Sequence, residues 1–229
     1  MDAIERRAEL QRLTGEWASC TLCPLSESRT QVVVGSGDPD AELMFVGEAP
    51  GFHEDRQGVP FVGQAGKLLE GLLGEIGLSR EQVYIANVLK CRPPGNRDPQ
   101  PNEIEACERH LFAQVELVSP TVICTLGNFA TKLLSGRPEG ITRVHGKPQP
   151  CRIGRAEVQL FPIYHPAAAL YTPTMLETLR EDFKRLPALL AGRFPAAQPA
   201  VSPAAATAAF TPEPEPELVP AEPAQLGLF

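Results

Sequence analysis

The sequence predicts an α/β protein of three layers, α/β/α, with helices on both faces of a central, mainly parallel four-stranded sheet and a disordered C-terminal tail. Three observations predict it. Short apolar runs of strand length recur along the chain. Between them lie stretches whose apolar residues repeat every three or four positions. Near residue 195 the composition changes abruptly.

Residues 3–18 read as a short helix, and Glu42–Gly47 (ELMFVG) as a buried strand. A Gly/Pro-rich loop follows, then a helix from about Gln64 to Ile76 with Leu68, Leu69, Leu72 and Leu73 on one face. Val83–Val88 is the second strand, and residues 102–117 form a helix with Ile104, Cys107, Leu111 and Val115 at helical spacing. Thr121–Leu126 is the third strand, Asn128–Leu134 a short helix and Val158–Tyr164 the fourth strand. Residues 174–190 close the domain as a helix carrying Leu176, Leu179, Phe183, Leu186 and Leu190. Residues 195–229 hold eight of the 24 prolines, four glutamates and no lysine or arginine. Such a segment buries too little apolar surface to offset the entropy of ordering it. The chain therefore divides into a domain, 1–194, and a tail, 195–229.

At 229 residues with a formal charge of −7, the chain is not a uniformly basic nucleic-acid binder. With 43% apolar and 21% charged residues it has the composition of a soluble globular protein. No apolar run approaches the roughly 20 residues needed to cross a bilayer. The N-terminal MDAIERRAELQ has no secretory core, so the expected compartment is the cytoplasm. Cysteines in that compartment are rarely paired, so the six here are read first as ligands, nucleophiles or core residues.

Cys20 and Cys23 form a CxxC, whose two thiolates share one turn. Cys91 follows a strand, and Cys107, fifteen intervening residues later, lies on the core side of a helix. The four could meet around one metal centre and tie the N-terminal helix to the domain; spacing does not separate zinc from an iron–sulfur cluster. The alternative is a chance CxxC and two buried cysteines. Cys124, inside TVICTL, reads as a core residue, and Cys151 has no assignment.

Ligands of parallel sheets bind beyond the carboxyl ends of the strands. Glu48, in GEAPG, is the first side chain past one such end, placed either for catalysis or to satisfy loop amides. Phe61, in PFVGQAG, is either a stacking platform or core. Asn87 ends the second strand, where its paired donor and acceptor suit a nucleobase edge. His165, in HPAAAL, follows the fourth strand, with catalytic and structural roles evenly balanced. Residues 137–155 carry Arg137, Arg143, Lys147, Arg152 and Arg155 against Glu139, either a phosphate-facing patch or a solvated face.

Taken together, GEAPG, PFVGQAG, NVLKCRPPGNRDP, the CxxC…C-x15-C pattern and HPAAAL resemble, in order, the motifs of the iron–sulfur-containing family 4 uracil-DNA glycosylases. The resemblance runs from about Cys20 to Leu190. It implies a 4Fe–4S cluster on Cys20, Cys23, Cys91 and Cys107, a monomer acting on uracil-containing DNA, and no membrane attachment. It implies that Glu48 lies in the water-activating motif, that Phe61 stacks on the base, that Asn87 reads the uracil edge and that His165 stabilises the departing anion. The segment from Leu170, with Tyr171, is expected to fill the gap left by the flipped nucleotide. Ala49 and Gly51 fall among the substrate-binding positions, standing where other uracil-glycosylase families resemble GQDPY, with an aspartate and a tyrosine. The basic, His-ended loop of a relative that bonds covalently to DNA is replaced here by CRPPGNRDP. The rival reading is a non-catalytic cluster- or zinc-bearing module that binds deaminated or single-stranded DNA. A generic nucleotide hydrolase is disfavoured by the missing Walker lysine. In the tail, Gln225, Leu226, Leu228 and Phe229 resemble the QL-x-LF peptide that docks on the bacterial sliding clamp.

Overall fold

The computed structural model describes residues 3–192. In chain order its elements are α1 (Ala3–Trp17), β1 (Ser36–Gly37), β2 (Leu43–Gly47), α2 (Phe52–Gln57), α3 (Gln64–Glu75), β3 (Tyr84–Asn87), α4 (Pro101–Val118), β4 (Val122–Leu126), α5 (Asn128–Ser135), α6 (Ile141–Val144), β5 (Gln149–Ile153), β6 (Ala156–Ile163), α7 (Pro166–Ala169) and α8 (Pro173–Leu190). Prolines open α4, α7 and α8, where a missing N–H costs nothing because the first helical donors have no intrahelical acceptor.

The strands form one sheet in the order β1-β3-β2-β4-β6-β5. The four expected strands are its parallel centre, with Gly47 opposite Asn87, Met44 opposite Ile123 and Leu126 opposite Ile163. The expectation of four strands is corrected to six, because an antiparallel edge strand flanks each side. β1 is two residues long and leaves no pattern to read. β5, QPCRI, lacks an apolar run because it is a half-exposed edge, and an edge strand tolerates Pro150 because the ladder there has a free side.

Side chains alternate across each central strand, and each set meets its own layer of helices. Met44, Val46, Ala86 and Ile123 pack with Leu10 of α1, Leu111 and Val115 of α4 and Leu134 of α5. Leu43, Phe45, Ile85 and Phe161 pack with Leu69 and Leu73 of α3 and Leu179, Phe183 and Leu186 of α8. This is the expected three-layer arrangement. Cys124 lies in the second of these layers, fully buried, as a core residue. The short helices α2, α6 and α7 escaped the sequence pattern because four to six residues complete too few turns to show a period. Among the described residues no helix is long and apolar enough to cross a membrane.

Candidate active site

Because β2, β3, β4 and β6 run the same way, their carboxyl ends share one edge of the sheet. Glu48, Asn87, Gly127 and His165 sit at or just past those ends. The parallel pairing continues past the strands: Val88 donates to the carbonyl of Gly47 at 2.9 Å, and Leu89 to that of Glu48 at 3.0 Å. Asn87 and Glu48 are thereby fixed beside one another.

Gly47 leaves room for the rest. A Cβ there would lie 2.4 Å from Asn87 Oδ1 and 2.6 Å from Phe61 Cζ. The missing side chain lets an amide and an aromatic ring close over the end of β2. Asn87 is 2% exposed, yet its Oδ1 has no hydrogen-bond partner. Only Arg6 Nε shares that condition among the buried side-chain nitrogens and oxygens of the described residues. A buried acceptor without a donor costs about 1–3 kcal/mol, so this oxygen is set for a donor from outside.

Phe61 is 6% exposed and belongs to the α3/α8 layer, so it is a core residue. Its ring also borders the site, 5.7 Å between centroids from the His165 imidazole with 29° between planes. Its φ of 54° is unusual for a residue with a side chain. Two features hold it there. Arg80 donates to the Phe61 carbonyl at 2.7 Å and to the Pro60 carbonyl. Gly66 of α3 lies against the same carbonyl, where a Cβ would come within 1.9 Å of its oxygen.

His165 caps α7, its Nδ1 accepting from the Ala167 N–H at 3.1 Å. That bond assigns the proton of the neutral ring to Nε2, which is left as a donor. Burial lowers the His165 pKa to about 4, with Glu54 pulling weakly the other way, so the ring is uncharged at neutral pH. Glu48 is shifted in the opposite sense: burial, reinforced by Asp98, raises it to about 7. The edge thus holds a neutral donor and a carboxylate that titrates near physiological pH, the divergence of environments typical of functional sites.

Two positioning residues were not anticipated. Glu54 of α2 accepts from the N–H groups of Val62 at 2.9 Å and Gly63 at 2.8 Å, holding the Phe61 loop beside α2. The second is Arg80. Neither stands at a strand end or in a recognisable motif, so only tertiary contacts reveal them. Gly51 caps α2, and a Cβ on it would meet Glu54 Oε2 at 2.8 Å. Ala49 is half-buried against the α1/α4 layer. Tyr171 is 88% exposed just beyond α7, at the same end of the sheet, and Leu170 beside it is half-buried.

On the α4 side Cys20, Cys23, Cys91 and Cys107 line one small pocket, walled also by Trp17, Lys90 and His110. Lys90 donates its N–H to Cys107 Sγ at 3.2 Å, Arg29 lies 3.5 Å from Cys91 Sγ and His110 Nε2 3.6 Å from Cys20 Sγ. Trp17 packs on His110 with centroids 4.5 Å apart, so α1 is tied to α4 beside the cysteines. Among the described residues no three His, Cys, Asp or Glu side chains are arranged around a single ion. Four thiols lining one pocket are a donor set that fits either a zinc ion or an iron–sulfur cluster.

Cys151 lies apart on β5, its thiol donating to the Leu134 carbonyl at 3.0 Å. The basic segment 137–155 is not one patch. Arg152 and Arg155 flank the β5–β6 turn, at the end of the sheet away from His165, whereas Arg143 belongs to α6, next to Gly146, which bonds the carboxyl end of β6. The 225–229 motif lies outside the described residues.

Comparison with known proteins accords with this arrangement. Residues 34–188 match the family model described as the uracil DNA glycosylase superfamily. The chain is 48% identical over 182 residues to the type-4 uracil-DNA glycosylase of Sulfurisphaera tokodaii, covering 77% of this chain and 83% of that protein. It is 46% identical over 190 residues to the type-4 enzyme of Archaeoglobus fulgidus, covering 81% and 96%. Similarity to a type-5 uracil-DNA glycosylase of Thermus thermophilus is lower, 32% over 163 residues, covering 57% and 72%.

The close approach at Gly47 has a direct consequence. Gly47→Ala must displace Asn87 or Phe61, and overpacking of this kind costs about 1–3 kcal/mol. The urea midpoint is expected to fall accordingly; an unchanged midpoint would show that the floor of the site yields freely.

Proposed function

The chain belongs to the uracil DNA glycosylase superfamily, and from that premise we propose that it is a DNA repair enzyme that excises uracil by hydrolysing the N-glycosidic bond and leaves an abasic site. The observation that carries the proposal is the buried, unpartnered Oδ1 of Asn87. The uracil edge presents a donor, N3–H, beside an acceptor, O4. Oδ1 takes the first and the Asn87 amide N–H gives to the second. Cytosine presents the reverse pattern and leaves both groups unpaired, so it is rejected.

The target nucleotide must leave the helix stack to reach this edge. Its base rests against Phe61 beside His165 rather than between the two rings. The 5.7 Å centroid spacing is short of the ~7 Å that two stacking contacts require. As the C1′–N1 bond breaks, its electron pair passes to the uracil ring, chiefly to O2. The Nε2–H of neutral His165 donates to that oxygen as its charge develops. The sugar becomes cationic, and the Glu48 carboxylate offsets that charge, orients water toward C1′ and takes its proton. Leu170 and Tyr171 fill the space that the flipped nucleotide vacates.

Cys20, Cys23, Cys91 and Cys107 are the residues that would hold a 4Fe–4S cluster, which would supply a cross-link rather than redox chemistry. Its place supports that role: the cysteines join α1, α4 and the segment following Asn87. We take the enzyme to act as a monomer in the cytoplasm. Gln225, Leu226, Leu228 and Phe229 are its docking peptide for the sliding clamp, a reading supported by sequence alone.

Three measurements test these statements. On a uracil-containing oligonucleotide under single-turnover conditions, the rate is expected to rise about tenfold between pH 6 and 8. Glu48, with its pKa near 7, loses its proton over that range and is active as the carboxylate. His165, neutral throughout, adds no second limb. Glu48→Gln removes the pH dependence, and His165→Ala and Asn87→Ala each lower the rate by about 10²–10³; variants at wild-type rates would overturn the roles. Anaerobically prepared protein should contain iron and sulfide, with Cys107→Ser losing them and Cys151→Ser keeping them; about one zinc and no iron per chain would refute the cluster. A labelled 220–229 peptide should bind the clamp with micromolar affinity, and equal binding by a Gln225→Ala, Leu228→Ala control would remove the docking motif.

A further inference from the structure

Lys90 stands between the two centres, walling the cysteine pocket on one side and reaching the end of β3 on the other. It is 1% exposed, among the largest fully buried side chains of the domain. A lysine is rarely buried to this degree unless its ammonium is fully engaged. Two of its ammonium donors and both of its main-chain groups are engaged. Nζ donates to the backbone carbonyl of Asn87 at 2.7 Å and to Gln114 Oε1 at 2.5 Å. Its N–H donates to Cys107 Sγ at 3.2 Å, and its carbonyl accepts from Val33 at 2.7 Å. Gln114, itself fully buried, donates through Nε2 to the Val34 carbonyl at 2.8 Å and the Tyr84 hydroxyl at 3.0 Å.

The two α4 partners of Lys90 are seven residues apart, two turns along one face of the helix. The lysine therefore joins one stripe of α4, through main chain and side chain, to the carbonyl of the residue whose amide is left unpartnered. That carbonyl lies where the regular ladder of β3 ends, and the next two N–H groups already serve Gly47 and Glu48. Without the ammonium, a buried carbonyl and a buried amide oxygen would be unpaired, and the short segment 87–90 would lose its tie to α4.

We propose that Lys90, backed by Gln114, is a positioning residue for base recognition, fastening the Asn87 end of β3 to α4 so that the Asn87 amide meets the uracil edge in one fixed orientation. The proposal rests on the reading of Asn87 as the uracil-reading residue. It accounts for a buried charge that no core requires, since a methionine would fill the same volume without desolvating an ammonium. It also gives the cysteine centre a route to the pocket: Cys107 accepts the Lys90 N–H, Cys91 is the next residue along the chain, and the ammonium holds the Asn87 carbonyl.

Two readouts test it in the full-length, metal-loaded chain: inhibition by free uracil, and hydrogen exchange of the peptide spanning residues 84–90. Lys90→Met is expected to weaken uracil inhibition at least tenfold and to accelerate that exchange at least tenfold, with metal content unchanged and exchange in β6 unaltered. Gln114→Leu should reproduce both effects. Gln114→Glu, which keeps the acceptor for Nζ and gives up the Nε2 bond to Val34, should be impaired clearly less than Gln114→Leu in both readouts; a residue serving stability alone would not separate these two substitutions. Should Lys90→Met fail to fold, the Gln114 pair decides. Uracil inhibition and exchange both within threefold of wild type in Lys90→Met, or equal losses in Gln114→Leu and Gln114→Glu, would overturn the proposal. A wild-type chain that neither binds nor releases uracil would instead count against the uracil reading, and the exchange measurement, which needs no uracil, would still decide whether Lys90 fixes the strand end.

Discussion

The parallel register that sets Gly47 opposite Asn87 is the constraint from which the rest of the site follows. Because β2 and β3 end together, Glu48 and Asn87 emerge side by side, and the N–H groups of Val88 and Leu89 prolong the pairing beyond the sheet. Because the residue at 47 lacks a Cβ, the Asn87 amide and the Phe61 ring fill the space above it. A one-residue slip of β3 would exchange its buried faces and carry Asn87 out of line, so the hydrophobic layers that hold the register also hold the chemistry.

Around that constraint the protein keeps its polar groups dry but accounted for. Lys90 and Gln114 are buried with their partners in place, and Glu54 and Arg80 satisfy the main chain of the Phe61 loop. Networks of this kind are stiff, because each unmade bond inside the protein costs more than it would in water. Against such a background one unpartnered oxygen, Asn87 Oδ1, stands out, and it is the group on which the proposed uracil reading rests. The same burial separates the two titrating groups: it discourages the charged form of each, so the histidine stays a neutral donor and the glutamate titrates near neutrality.

The loop after β2 departs from the GQDPY-like pattern at two positions. Where a GQDPY-like sequence would place an aspartate and a tyrosine, this chain has Ala49 and Gly51. Ala49 packs toward the α1/α4 layer, and the space beside Gly51 is taken by the Glu54 carboxylate, which is already bonded to Val62 and Gly63. A bulky residue at 51 would displace that carboxylate and loosen the Phe61 loop. The proposed mechanism accordingly assigns carboxylate chemistry at this edge to Glu48, while Glu54 is bonded into the Phe61 loop.

The sequence by itself determined the parts whose signal is local and repetitive. The four central strands, the long helices α1, α3, α4 and α8, and the placing of Glu48, Asn87 and His165 after strand ends could all be read from apolar periodicity, because burial on one or both faces imposes it. The ordered motifs carried the family. Tertiary structure alone decided what depends on residues meeting across the chain. The edge strands β1 and β5 and the short helices have too few residues or too few covered faces to leave a pattern. Phe61 proved to be core and site border together, which no spacing distinguishes. Glu54, Arg80 and Gln114 carry ordinary side chains in unremarkable sequence, and Lys90 sits unassigned inside a motif; their importance arises from what they reach: carbonyls, amides and a thiol up to 80 residues away. Partners that are distant in sequence and brought together by packing leave no mark on local composition, so the scaffolding of the site was visible only once the chain was folded.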